Sequence, residues 1–137
     1  MNITSGVKMK KLALSLTLLV TMGLEANDIA QNMKVMREGL LEIQDGFLYN
    51  SKTTVLGGIA KVESSNEMFH DKKSVEVYLP EDKKGLVGVT LLSAKNMKAD
   101  LQTMSAYLAQ DKMLEAASAY ADVIRDCTRC HAVVRGW

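Results

Sequence analysis

The chain has 137 residues, a length that favours one compact domain over two. Charged residues make up 24% and apolar residues 47%, which argues against a disordered chain, and the net charge of +1 argues against a nucleic-acid-binding surface. Aromatic residues reach only 5% and there is a single proline, against nine methionines, so the composition disfavours strand-rich folds. We therefore expect an all-α protein.

The first 26 residues have the features of a secretory signal peptide. Three lysines lie between residues 8 and 11, and an uncharged, mostly apolar run of 11 residues follows at 12–22. This run is too short to span a bilayer, which takes about 20 apolar residues, but it suits an export signal. We predict cleavage after Gly23 or Ala26, a mature domain at 27–137, and a periplasmic location without membrane association; an uncleaved N-terminal anchor is the alternative.

Apolar residues recur with heptad-like spacing in four segments, which predicts four amphipathic helices. The predicted helices are at about 28–48, 52–69, 85–109 and 111–134. Their connections are short, long and short, an order typical of an antiparallel four-helix bundle. The long connection, 71–84, includes a segment at 75–79 that alternates like a strand, but an isolated strand has no pairing partner, so we expect an extended loop there.

Side chains at the helix ends offer caps. Ser51 or Thr53 can cap the second helix, and Asp111 can cap the fourth.

Cys127, Cys130 and His131 form a C-x-x-C-H sequence, the attachment pattern of a c-type haem. On a helix, residues three apart lie on one face, so both thiols can reach the two vinyl groups of one haem. His131 follows Cys127 by four residues on that face and can coordinate the iron. We therefore predict one covalently bound haem c, with thioether bonds to both cysteines and His131 as the proximal iron ligand.

Three other interpretations compete with haem attachment. A redox-active cysteine pair would be expected in a βαβ context, for which the chain shows no pattern. A zinc site would take four ligands, and His70 is only a distant fourth. A structural disulfide between residues so close in sequence would close a loop too small to stabilise the fold much.

With a haem motif near the C-terminus of four amphipathic helices, the chain resembles the class II cytochromes c, which comprise the cytochromes c′ and their low-spin, methionine-ligated relatives. The resemblance covers nearly the whole mature chain in helix pattern. It is most specific at 127–135 (CTRCHAVVR), where the basic Arg135 also fits the family. It implies a haem among the helices, with the first helix supplying the residue on the distal side of the iron. Family members often pair through their first two helices, so the resemblance also makes a homodimer an expected association.

Low-spin members of the family place a methionine on the distal side, whereas high-spin members leave a hydrophobic side chain and an open site. This sequence offers Met36 and Met33, and both fall on the apolar seam of the first helix. We prefer Met36, because its distance from the helix end near Phe47 fits the family's spacing better. The Arg-Gln pair that often precedes the ligand in the family is absent here. Arg135 is a candidate contact for a haem propionate.

These features together predict a periplasmic monohaem cytochrome that carries single electrons between redox partner proteins and is not an enzyme. A thioether ligand favours ferrous iron and raises the reduction potential relative to two imidazoles. The alternative is a five-coordinate, cytochrome c′-like protein that binds nitric oxide or carbon monoxide, which applies if neither methionine reaches the iron. A haem-free bundle with a redox-active cysteine pair is the third hypothesis.

Two smaller features also lead to expectations. His70 lies beside a charged segment and is expected at the surface. Gly57 and Gly58 interrupt the second helix, where each costs roughly 1 kcal/mol against alanine. Such a cost indicates a close approach of another helix or of the haem, or a kink.

Overall fold

The computed structural model describes residues 29–136, and over that range the chain consists of helices and short connections without a strand. The α-helices are α1 (29–48), α2 (Lys52–Asn66), α3 (Lys72–Tyr78), α4 (Val87–Ala109) and α5 (Met113–Arg135). Two 3₁₀ helices, Glu67–Phe69 and Glu81–Leu86, follow α2 and precede α4. The expected all-α class is confirmed. The predicted signal peptide and its cleavage sites lie outside the described residues.

The long helices match the predicted segments closely. Ser51, rather than Thr53, caps α2, because its side-chain oxygen accepts from the main-chain nitrogen of Thr54 at 3.4 Å. The predicted cap at Asp111 is wrong. Asp111 has a left-handed backbone with φ of 58° in the turn before α5, and its carboxylate accepts from Lys52 Nζ at 2.9 Å. The N-cap of α5 is Lys112, which makes no side-chain capping bond.

The extended loop expected at 75–79 is also wrong, because α3 covers most of that segment. Asp71 starts the helix by accepting from the main-chain nitrogen of Ser74 at 2.8 Å and from its hydroxyl at 2.9 Å. Val75 and Leu79 are buried while Val77 is 61% exposed. In a strand all three side chains would lie on the same face, whereas in a helix residues 75 and 79 share a face and residue 77 points away, as the exposure of Val77 shows.

α1 and α2 run antiparallel and approach closely at glycines. Gly46, near the end of α1, lies against Val55 at the start of α2, and Gly39, two turns earlier in α1, lies against Gly58, about one turn later in α2. A Cβ atom at Gly58 would lie only 2.5 Å from the main-chain oxygen of Gly39. The close approach of another helix, one of the explanations that the sequence offered for Gly57 and Gly58, is therefore confirmed at Gly58.

The remaining long helices also pair antiparallel. Lys52, at the start of α2, pairs with Asp111 in the turn after α4, whereas the Asn66 amide at the end of α2 donates to the main-chain oxygen of Ala94 at 2.9 Å. α4 and α5 are joined by a tight turn and share the largest interface among helices α2 to α5. α5 also meets α1, because the Tyr120 hydroxyl donates to the main-chain oxygen of Leu40 at 3.1 Å.

One apolar core connects these helices. Its buried members are Met36, Ile43, Val55, Ile59, Val62, Phe69, Val75, Leu79, Val87, Ala94, Met97, Leu101, Met104, Leu108, Ala116, Ala119 and Val123. Within residues 29–136, none of the helices is both long enough and apolar enough to cross a membrane.

Replacing Gly58 with alanine should destabilise the fold by about 1–3 kcal/mol, because the added methyl group meets backbone rather than a flexible side chain. Gly88→Ala is the matched control, since Gly88 is exposed in α4 and a Cβ there meets nothing within 4 Å. That control should gain up to about 1 kcal/mol from helix propensity. Urea unfolding followed by circular dichroism measures both, and equal effects at the two sites would contradict the close approach.

Replacing Ser51 with alanine should cost about 1 kcal/mol, because the first turn of α2 loses its capping acceptor. Thr53→Ala should leave the free energy of unfolding within about 0.5 kcal/mol of the parent, since Thr53 is exposed and is not the cap. A larger loss at Thr53 than at Ser51 would show that the cap has been assigned to the wrong residue.

Candidate functional site

The C-x-x-C-H motif lies on the C-terminal part of α5, so its three side chains sit on consecutive turns of a regular helix. Cys127, Cys130 and His131 are all half-buried, and the two cysteines are free thiols. The helix continues for one turn to Arg135 and ends at Gly136, which has φ of 69° and donates its main-chain N–H to Ala132 at 3.1 Å. A left-handed glycine is a common helix end, so the motif rests on a well-terminated helix.

Two parallel stripes of α5 differ in burial. The stripe against α4 is buried and its members are Ala116, Ala119, Val123 and Asp126. The neighbouring stripe is only half-buried, and its members are Met113, Tyr120, Cys127, His131 and Val134. The short side chains of the first stripe let α4 approach closely, whereas the motif stripe borders the core without being covered by it.

Both methionines predicted as distal ligands lie on α1 at the same end of the domain as the motif. Met36 is 6% exposed within the core, and Met33 is half-buried against it. The hydrogen bond between Leu40 and Tyr120 sets the alignment of α1 with α5. Both methionines come before Leu40 in α1, and the motif comes after Tyr120 in α5. Because the two helices run antiparallel, residues before Leu40 and residues after Tyr120 lie toward the same end of the domain. At 1.5 Å per residue, Met36 and Met33 lie about 6 and 10 Å beyond Leu40 along the helix axis.

A third methionine, Met68, also lies at this end and was not predicted from the sequence. Met68 is half-buried in the 3₁₀ helix after α2, and its sulfur contacts the side-chain amide of Asn32 on α1. The contact depends on how α1 and α2 are aligned, which the sequence pattern alone did not define. The only feature of the sequence that could have pointed to Met68 is its position beside the apolar Phe69 at a predicted helix end.

Burial sets the protonation of the motif. It raises the pKa of the Cys127 thiol to about 11, with further contributions from Cys130 and Asp126, and it raises the pKa of Cys130. Burial, and then the charge of Arg135, lower the pKa of His131. Both cysteines are therefore neutral thiols near pH 7, unlike the low-pKa thiolates of redox-active pairs. His131 is a neutral imidazole, the form that coordinates metals.

The other candidate residues lie apart from the motif stripe or at its end. Arg135 is exposed in the last turn of α5. The surface location expected for His70 is wrong, since it is half-buried and its Nε2 lies 3.1 Å from the amide nitrogen of the buried Asn66. No group of three or more His, Cys, Asp or Glu side chains suited to a metal ion occurs between residues 29 and 136.

The residues present fit a haem. The motif stripe offers the Cys127 thiol and a neutral imidazole beside half-buried apolar side chains, and the half-buried Cys130 thiol follows one turn after Cys127; a large apolar cofactor would cover these side chains. Two buried hydroxyls on α4, those of Thr90 and Ser93, have no hydrogen-bond partner, although three exposed hydroxyls bond their own helix. Buried polar groups are normally paired, so these two hydroxyls retain unused hydrogen-bonding capacity.

Comparisons of the chain with protein-family models, with curated proteins and with solved structures found no match in any of the three. The resemblance to the class II cytochromes c therefore depends on the motif at 127–135 and on the helix pattern.

Proposed function

We propose that this protein is an exported c-type monohaem cytochrome that carries single electrons between redox partners in the periplasm. In this proposal α1, α2, α4 and α5 form an antiparallel four-helix bundle, and haem c is attached to α5. The observation that carries the proposal is the C-x-x-C-H motif on a half-buried stripe of α5, at the end of the domain where α1 carries two methionines. The antiparallel pairing of the helices supports the bundle.

Each motif residue has a separate task in this proposal. The Cys127 and Cys130 thiols form thioether bonds with the two vinyl groups, and the His131 imidazole is the proximal iron ligand. The neutral state of all three side chains supports this, since no charge has to be removed from the core when the iron is bound. Arg135, at the exposed helix end, is available to a propionate.

Met36 is the distal ligand in this proposal, with Met33 as its alternative. The greater burial of Met36 supports the choice, because a ligand inside the core is shielded from water. A bound haem supplies a one-electron Fe(II)/Fe(III) couple. A thioether ligand and a dry surrounding both favour the ferrous state and so raise the reduction potential.

The absorption spectrum of the protein, produced in cells that attach c-type haem, tests the proposal. Sharp α and β bands after reduction, with a weak sulfur-to-iron band in the oxidised form, are the result expected for methionine ligation. Broad high-spin bands that sharpen only with nitric oxide would favour the gas-binding alternative. A colourless protein would contradict both haem proposals and favour the haem-free bundle with a redox-active cysteine pair.

Met36→Leu should abolish the sulfur-to-iron band and convert the oxidised protein to high spin, because leucine fills the space without a sulfur. Met33→Leu is the matched control, from the same helix and with the same change of chemistry, and should leave the low-spin spectrum unchanged. Both substitutions conserve volume and should cost less than about 1.5 kcal/mol in stability. Loss of the band in Met33→Leu alone would make Met33 the ligand, and loss in neither would exclude both.

A further inference from the structure

The side chains of Asn66 and His70 are hydrogen-bonded across the 3₁₀ helix Glu67–Phe69. Asn66 precedes this helix and is only 2% exposed, and the half-buried His70 follows it. The Asn66 amide nitrogen lies 2.9 Å from the main-chain oxygen of Ala94 on α4 and 3.1 Å from Nε2 of His70. One buried amide nitrogen therefore joins the end of α2, the end of the 3₁₀ helix and α4.

The contact with Ala94 fixes which way the Asn66 amide points. A main-chain carbonyl oxygen can only accept, so the atom that faces it is the amide nitrogen, and an inverted amide would set two oxygens against each other. The same nitrogen has a second hydrogen for His70. Nε2 of His70 is then the acceptor, which requires a neutral imidazole with its proton on Nδ1.

A proton on Nε2 is incompatible with this hydrogen bond. It would set an N–H group of His70 against an N–H group of Asn66, and the amide cannot invert without losing its bond to Ala94. Within residues 29–136, Asn66 is the only hydrogen-bond partner of the His70 ring. Protonation therefore removes the one hydrogen bond that holds the ring in place.

The carboxylates near His70 have other partners. Glu67 attracts a positive imidazole, but its exposed carboxylate accepts from Lys98 Nζ at 2.6 Å. Asp71, at the start of α3, accepts from the main chain and the hydroxyl of Ser74. The 3₁₀ helix packs against α2, α3 and α4, whose other charged side chains in this region are Glu63, Lys72, Lys73, Glu76 and Lys95. No carboxylate between residues 29 and 136 is hydrogen-bonded to the ring, so none replaces the amide as its partner.

We propose that His70 is an acid-sensitive latch. As a neutral imidazole it accepts from Asn66 and holds the 3₁₀ helix against α2 and α4. A proton from water that forms an N–H bond at Nε2 breaks this contact and releases the helix. Because the proton binds the open form, acidification shifts the equilibrium toward that form. The released helix carries Met68, whose sulfur contacts Asn32 on α1, and Phe69, which is buried in the core. The inference does not rest on the proposed haem function.

The nitrogen resonances of the histidine rings test the acceptor role directly. The chain has two histidines, and the ring signals of each are assigned through its own backbone. In the reduced protein at about pH 7.5, Nδ1 of His70 should be the protonated nitrogen and Nε2 the unprotonated one. A proton on Nε2 at that pH would overturn the inference. This measurement needs no variant, so it decides even if a substitution at His70 prevents folding.

Amide hydrogen exchange measures the opening. Between about pH 7.5 and 5, the hydrogen-bonded main-chain N–H groups at positions 70 and 75 should lose about tenfold in protection, after correction for the intrinsic effect of pH. His70→Gln supplies an amide oxygen that accepts from Asn66 and does not titrate, so its protection should stay constant. Glu67→Gln, which removes the neighbouring ion pair with Lys98, should keep the loss.

The variants also give the results that would contradict the latch. Constant protection in the parent, or an equal loss in His70→Gln, would overturn the inference. A loss that disappears in Glu67→Gln would assign the acid response to the ion pair with Lys98 and would overturn it too. Haem does not enter these readouts, so a failure of the cytochrome proposal would be seen separately, in the absorption spectrum.

Discussion

The close contact between α4 and α5 is the constraint on which the rest of this structure depends. Alanines 116 and 119 and Val123 are short enough for the two helices to meet closely, and all three are buried. Because that face packs against α4, the motif stripe of α5 lies at the edge of the core, where it is half-buried. Cys127 thus packs against the apolar core while remaining half-buried, and Cys130 and His131 are half-buried beside it along the helix.

The same face of α5 also buries a charged side chain, that of Asp126. Asp126 follows the alanines on the buried stripe, where it is only 3% exposed and accepts a hydrogen bond from Arg129 at 3.0 Å. Because ionising a buried carboxyl is costly, its protonation depends on neighbouring charge. Burial and, to a lesser degree, Cys130 and Asp126 raise the pKa of the adjacent Cys127 thiol.

Sequence periodicity was sufficient to predict the four long helices and the motif's position on the last of them. It failed for α3, because the apolar residues at 75, 77 and 79 fit a strand as well as a helix until burial separates Val77 from the others. It failed at Asp111, because the turn before α5 uses a left-handed backbone there and Lys52 takes the carboxylate. Met68 and Asp126 were missed because their surroundings come from neighbouring helices, whose alignment the periodicity does not give.

The mass of the denatured protein is the most direct test of the proposed covalent attachment of one haem to α5. Thioether bonds survive denaturation, whereas a haem held only by coordination is lost. The protein should be heavier than its polypeptide by one haem, and replacing both Cys127 and Cys130 with serine should remove that excess. A mass equal to that of the bare polypeptide, from cells that attach haem to other c-type cytochromes, would contradict the account.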